Sequence, residues 1–495
     1  MLLKRRLIRW LAYALGISAG VLATIVLVFA VQARLRLPEL RAWHTATLEQ
    51  EYRAGRADAP SSFPEYLALE DRLFRELHQR VLDDSRTADT QTFGRYNPNS
   101  VVARLALETK YNRSYELAPR GEARGAVLLV HGLSDSPYSM RGLAEAFLAE
   151  GYYVLALRLP GHGTVPAGLV DVTWQDWYGA VVLAAKYAAA KAGPGKPFVA
   201  GGYSTGAALM TLYSLRAIAD PALPRPQRLY LVSPAVGLSR FAAMTEIISW
   251  LAFIPAFEKS RWIDVLPEYD PYKYNSFPVN AAKQIHRLTQ AVRGALDAEE
   301  QRGRLGEMPR VIAFQSIVDS TITAREVVRG LLARLPPKGH ELVVLDINRN
   351  ENLEGWIAPG PLEDFERLRA AVNLPFRLTL IANRARDTRA VAAYTRPAGE
   401  RDVVVESLPY QWPVGVFSVG HVSLPFPVDD PVYGLMPAAA AQPKFNLGAL
   451  APKGESGALV VSLGTFARLR SNPFWGVIRA KVGETEQAAV AARRE

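Results

Sequence analysis

Short, mostly apolar runs recur along the middle of the chain, each closed by a glycine, an aspartate or a polar turn. Residues 126–130, 197–201, 311–318, 341–345, 378–381 and 416–419 all have this form. Runs of that length between turn signals predict strands buried on both faces, as in a parallel sheet. Helix-compatible segments such as 207–213 lie between them. The alternation predicts an α/β fold, a mostly parallel central sheet flanked by helices. Residues 403–406 and 458–463 read as additional strands.

Two helical patterns stand apart. Leu69, Leu73, Leu77 and Val81 recur at spacing four, one stripe of a helix packed on a core. Phe241, Met244, Ile248 and Leu251 recur at helical spacing near Trp250, Phe253, Phe257 and Trp262. At the amino terminus residues 10–33 carry no charge and follow Lys4, Arg5, Arg6 and Arg9. At about 1.5 Å per residue, a helix of that length crosses a hydrocarbon core. The basic flank favours an amino terminus held in the cytoplasm, with the rest of the chain outside the inner membrane. A cleaved signal sequence is the alternative.

The strongest chemical signal is Gly202-Tyr203-Ser204-Thr205-Gly206, a G-x-S-x-G between an apolar strand and a helix. Such a turn lifts a serine hydroxyl out of a crowded bend. A serine is a weak nucleophile and needs a base, an acid that orients the base, and donors for an oxyanion. Three histidines follow Ser204. His421 ends an apolar strand after Gly420, where a base belongs; His286 reads as part of a surface helix and His340 as part of a polar turn. Asp319 ends the run 311–318 and is the acid candidate, with Asp346 and Asp387 as rivals. The amides of Thr205 and Leu133 are the natural oxyanion donors, Leu133 because it follows strand 126–130. His131 reads as a residue that holds that loop.

The set His131-Gly132-Leu133, Ser136-Pro137, Leu159 to Thr164, Thr173 to Trp177, Gly202 to Gly206, Asp319 and Gly420-His421 resembles the α/β-hydrolase superfamily. The resemblance is to its bacterial carboxylesterase and monoacylglycerol lipase-like branch, which includes serine aminopeptidase-type members. It implies Ser204 as nucleophile, Asp319 as acid, His421 as base, and oxyanion amides at Leu133 and Thr205. It also implies a carboxylic ester substrate, a helical lid over about 235–304, and no cofactor. Roughly a hundred residues separate Asp319 from His421, more than that family uses, so an insertion is expected at about 347–415.

The implied organisation is an anchor over 1–36 and a helical stalk over 37–100 packed on the core. A catalytic domain over 101–430 and a carboxyl-terminal extension over 431–495 follow. Phe241, Trp250, Phe253 and Phe257 would wall an acyl pocket, which suggests lipid-like esters. An aminoacyl peptidase and a non-catalytic envelope interaction protein are the alternative functions. The chain of 495 residues has no cysteine, which excludes disulfides, thiolate metal sites and a cysteine nucleophile. No metal-binding or phosphate-loop motif occurs. The net charge of +10 includes the four amino-terminal basic residues, and no basic cluster with interleaved aromatics marks a nucleic-acid surface.

Overall fold

The computed structural model describes residues 37–83, 92–237, 255–437, 445–451 and 462–494, with scattered positions between 6 and 24. The expected anchor over 10–33 therefore lies mostly outside the described residues. So do Phe241, Trp250, Phe253 and residues 458–461 of the strand expected over 458–463, whose last residue instead opens a short helix, Leu463–Ala467, and so does the side chain of Phe257. Among the described residues no helix is long and apolar enough to cross a membrane.

Ten strands form one sheet. In chain order they are β1 (Tyr115–Leu117), β2 (Ala126–Val130), β3 (Tyr153–Leu157), β4 (Phe198–Tyr203) and β5 (Arg228–Val232). A separate two-stranded ribbon follows, β6 (Trp262–Asp264) with β7 (Phe277–Pro278). The sheet then continues with β8 (Arg310–Ser316), β9 (Glu341–Leu345), β10 (Arg377–Asn383), β11 (Ala390–Arg396) and β12 (Val404–Gln411). The spatial order is β1-β3-β2-β4-β5-β8-β9-β10-β11-β12. From β3 to β10 all neighbours are parallel; β1, β11 and β12 add antiparallel edges.

The parallel strands are largely apolar because both faces are covered. Alternate residues of β2 serve opposite layers. Leu128 belongs to the same core layer as Trp177 and Leu212, and Leu129 to the opposite layer with Phe147, Trp475 and Ile478. The first layer is built by α1 (Phe63–Leu77), α2 (Trp174–Ala192), α3 (Thr205–Ala219) and α4 (Val279–Gln301). The second includes α5 (Trp475–Arg494), which closes the chain. Local signals set the starts. Ser62 accepts from the Glu65 amide ahead of α1, and Thr173 forms a reciprocal capping box with Asp176 ahead of α2.

The span expected to be a lid is only partly one. Its last third is α4, whose Leu288, Val292 and Leu296 are fully buried in the first core layer. His286 is buried on that helix rather than on a surface. His340 is buried too, and its Nδ1 accepts from the Val311 amide at 3.0 Å. The region 347–415 holds a helix over Pro359–Ala370 and three strands, β10 to β12, that lengthen the sheet.

The segment before β1 is tied to the core by a buried cation. Arg158, 1% exposed, meets Glu51 at 3.0 Å and Glu70 at 2.9 Å. The Tyr66 hydroxyl donates to the Arg158 carbonyl at 2.7 Å. One guanidinium thus serves two carboxylates from the preceding arm.

Candidate active site

β4 ends at Tyr203 and α3 begins at Thr205, leaving Ser204 alone in the bend. Its φ of 53° and ψ of −111° fall where a residue with a Cβ is strained. The bend is held by the Ser204 amide donating to the Val232 carbonyl at 2.9 Å. The flanking glycines answer a spatial demand. A Cβ on Gly202 would lie 2.4 Å from the Gly206 carbonyl carbon, and one on Gly206 would lie 2.0 Å from the Val130 oxygen. Strand β2, the bend and the start of α3 therefore sit in direct backbone contact.

Ser204, His421 and Asp319 come together. His421 Nε2 lies 3.1 Å from Ser204 Oγ, and His421 Nδ1 lies 2.7 Å from Asp319 Oδ2. All three are buried, with Ser204 and His421 each retaining 8% exposure. Asp319 Oδ1 accepts from the Thr321 and Ile322 amides, each at 2.9 Å, and Oδ2 also accepts from Gln315 Nε2 at 3.1 Å. Burial alone would raise the Asp319 pKa. The charge and hydrogen bond of His421, with the two amides, outweigh it and hold the carboxyl below its ordinary range. An ionised carboxylate only accepts, so Nδ1 of His421 carries the proton. In the neutral imidazole Nε2 is then free to accept from the serine hydroxyl.

The strand expected over 416–419 is not formed: that stretch is a loop after β12, and side-chain and backbone hydrogen bonds place His421 at its end. Ser316 Oγ, at the end of β8, donates to the Val419 carbonyl, and the Gly420 amide donates to Ser423 Oγ at 2.9 Å. The Tyr203 hydroxyl donates to the His421 carbonyl at 3.3 Å. The two rival acids lie elsewhere. Asp346 is paired with Arg349 at 2.8 Å, and Asp387 is exposed.

Leu133 lies in the loop after β2. That loop packs on the bend: a Cβ on Gly132 would meet the Tyr203 ring at 2.8 Å. His131 Nε2 accepts from the Leu159 amide at 3.0 Å, which joins this loop to the one after β3. Burial first, then the neighbouring His162, holds His131 well below its usual pKa, so it stays neutral. Thr205 is the first residue of α3, and its amide has no partner within the helix. Two amide-bearing turns therefore converge beside Ser204. Among the described residues no group of three or more metal-ligating side chains occurs.

Sequence reasoning missed the contribution of the carboxyl-terminal extension. A cavity of about 380 Å³ lies beside His421, bounded by Asp135 and Val422 on the site's own loops. Its far wall comes from residues 462–470, including Arg468 and Arg470. No local motif marks those residues.

Comparison with known proteins places this geometry in context. Residues 121–295 match the family model described as serine aminopeptidase, S33. A thermostable monoacylglycerol lipase of Bacillus sp. (strain H-257) is 49% identical over 55 residues, 11% of this chain and 22% of the relative. The match thus spans about a fifth of that relative's length. Among solved structures, one from work on the metagenome-derived lipolytic enzymes LipS and LipT aligns with a TM-score of 0.37 and 20% identity, covering 52% of this chain and 98% of that one. A soluble variant of monoglyceride lipase from Saccharomyces cerevisiae aligns with a TM-score of 0.38 and 14% identity, covering 47% and 82%.

Proposed function

We propose that this chain, whose residues 121–295 are those of a serine aminopeptidase S33-type α/β hydrolase, is a serine hydrolase of carboxylic esters. The observation that carries the reading is the continuous hydrogen-bonded line from Ser204 through His421 to Asp319, built on a serine with positive φ. In the proposed mechanism Ser204 Oγ attacks the acyl carbon while His421 Nε2 takes its proton. The Leu133 and Thr205 amides donate to the oxyanion, each worth about 3 kcal/mol. The acyl C–O bond breaks, His421 returns the proton to the leaving alcohol, and an acyl-serine remains. Water attacks that ester with His421 again as base, releasing the acid and restoring the hydroxyl. Asp319 holds the imidazole in the productive tautomer and stabilises the imidazolium.

The short relative is named a monoacylglycerol lipase, which favours a lipid-like ester. The uncharged run 10–33 behind four basic residues supports an amino-terminal anchor in the inner membrane, with the hydrolase on the extracytoplasmic side. Extraction of membranes with alkaline carbonate should leave the full chain in the pellet; release into the supernatant refutes the anchor. The family description favours one second reading, an aminopeptidase, which predicts cleavage of aminoacyl amides faster than esters of similar size.

The direct test is labelling by a fluorophosphonate probe. Wild type should label, and Ser204→Ala should not, with both giving the same thermal melt. Equal labelling of the two, or none of a folded wild type, overturns the reading.

A further inference from the structure

The cavity beside His421 has an unusual charge balance. Five charged side chains line it: Lys273, Arg468 and Arg470 against Asp135 and Asp270. Both carboxylates are already engaged. Asp135 pairs with Lys273 at 3.2 Å. Asp270 Oδ1 accepts from the Tyr272 amide at 3.0 Å, the Lys273 amide at 3.1 Å and the Tyr433 hydroxyl, while its Oδ2 makes no hydrogen bond and has the Arg470 guanidinium at 3.7 Å as its counter-charge. Arg468 is left over. Among the described residues it makes no hydrogen bond and no ion pair, and it is exposed to the cavity mouth. Arg470 Nε, buried, also lacks an acceptor.

These cations are held in place rather than trailing on a loose tail. Directly after them Ser471 and Asn472 are fully buried. Ser471 Oγ accepts from the Leu435 amide at 3.0 Å, and the Asn472 amide donates to the Phe426 carbonyl at 2.8 Å. Trp475 Nε1 donates to the Pro425 carbonyl at 3.0 Å. Residues 425 and 426 follow His421 within one short loop. The opposite wall is equally tied to the site, because the Tyr274 amide donates to the Ser134 carbonyl at 2.9 Å. A cavity of about 380 Å³ suits a small substrate portion.

We infer that Arg468, supported by Arg470, binds an anionic group, a carboxylate or a phosphate, on the ester that Ser204 cleaves. The inference rests on the hydrolase reading and names its substrate class. The anion completes the charge balance that the two engaged carboxylates leave open. An arginine fork suits either oxyanion, since both present paired oxygens to its N–H groups. Arg468 thereby acts as a specificity residue supplied by the extension outside the matched family segment.

The test compares kcat/KM for matched esters. Monoethyl adipate against diethyl adipate probes a carboxylate on the acyl side. A phosphorylated monoacylglycerol against its uncharged counterpart of equal chain length probes a phosphate on the alcohol side. Wild type should prefer the anionic member of one pair, and that pair identifies the group. Arg468→Gln should lower the anionic-to-neutral ratio about tenfold, mainly through KM, with Arg468→Lys in between. The wild-type ratio should also fall as salt is raised. A wild type that prefers the neutral member of both pairs, or a ratio unmoved by Arg468→Gln, overturns the inference. Fluorophosphonate labelling separates the two levels. A labelled enzyme without anionic preference overturns this inference alone, whereas an unlabelled one overturns the hydrolase reading beneath it.

Discussion

The two edges of the central sheet handle buried charge in opposite ways. At the carboxyl edge, Ser204, Asp319 and His421 stand on turns that follow strands. There Ser204 Oγ has His421 as its partner, and the Thr205 amide has none within its helix. At the amino edge, α5 lays Glu486 against Arg228, Tyr152 and Tyr230. Glu486 is fully buried, and both its oxygens are saturated. Oε1 accepts from Arg228 Nε and the Tyr230 hydroxyl, each at 2.7 Å, while Oε2 accepts from Arg228 and from the Tyr152 hydroxyl. Burial and charge are thus shared by both clusters. What separates the two clusters is spare hydrogen-bonding capacity: the one around Ser204 keeps some open, and both oxygens of Glu486 are filled, so that the Glu486 cluster acts as a clamp.

That contrast is broken most sharply at Asp319. Asparagine there keeps the shape but offers an NH₂ or a neutral oxygen to His421, which disturbs the tautomer that leaves Nε2 free. Turnover of a carboxylic ester should fall by about 10⁴ with the thermal midpoint little moved. Steady-state kinetics on Asp319→Asn checks this; a fall of less than about tenfold removes Asp319 from the proposed mechanism. The amino edge should respond in stability instead. Glu486→Gln leaves Arg228 buried without a counter-charge and should cost about 3–5 kcal/mol in urea unfolding. Replacing both Arg228 and Glu486 by methionine should recover most of that loss, since no charge is then stranded. A double variant as unstable as the single one contradicts a simple clamp.

The same contrast explains what could be read from the chain. Five of the seven parallel strands, β2, β4, β8, β9 and β10, were legible from their apolar runs, whereas β3 and β5 were not read as strands; the bend at Ser204 was legible because sterics demand glycine at 202 and 206. Asp319 and His421 were legible because each closes an apolar run. β11 was missed because its apolar run, Ala390–Tyr394, is mostly alanine, which carries little strand preference. The buried face of α4 was missed because Lys283, Gln284, His286 and Arg287 surround Ile285 and make that stretch look exposed. Glu486 and Arg468 carry no local signal at all. The partners of Glu486 lie hundreds of residues away in the chain, and Arg468 lines a cavity whose other walls come from distant segments, so only the packed tail brings the two there.

The smallest expected effect, a dependence on pH, separates the groups at the carboxyl edge from one another. His131 and His162 follow β2 and β3 and are both fully buried. Burial lowers His162 to about 3 and holds His131 well below its usual value. Unfolded, each would titrate near about 6.5. Below that pH the unfolded chain binds protons that the folded one refuses. Their stabilising contribution is therefore complete above about pH 6.5 and shrinks as pH falls toward their folded values, by about 1.4 kcal/mol per histidine per pH unit. Asp319 behaves differently because its depressed pKa is that of an acid. Its contribution is intact above the ordinary carboxylate range and is lost only as pH drops through its own lowered value. Unfolding free energies between pH 7 and pH 5 thus report the buried histidines and, with the opposite sign, Glu268, which burial raises to about 7, but not Asp319. His162→Asn should flatten that slope, whereas Asp319→Asn should leave it unchanged; the reverse pattern would place the acid sensitivity of this edge in the carboxylate.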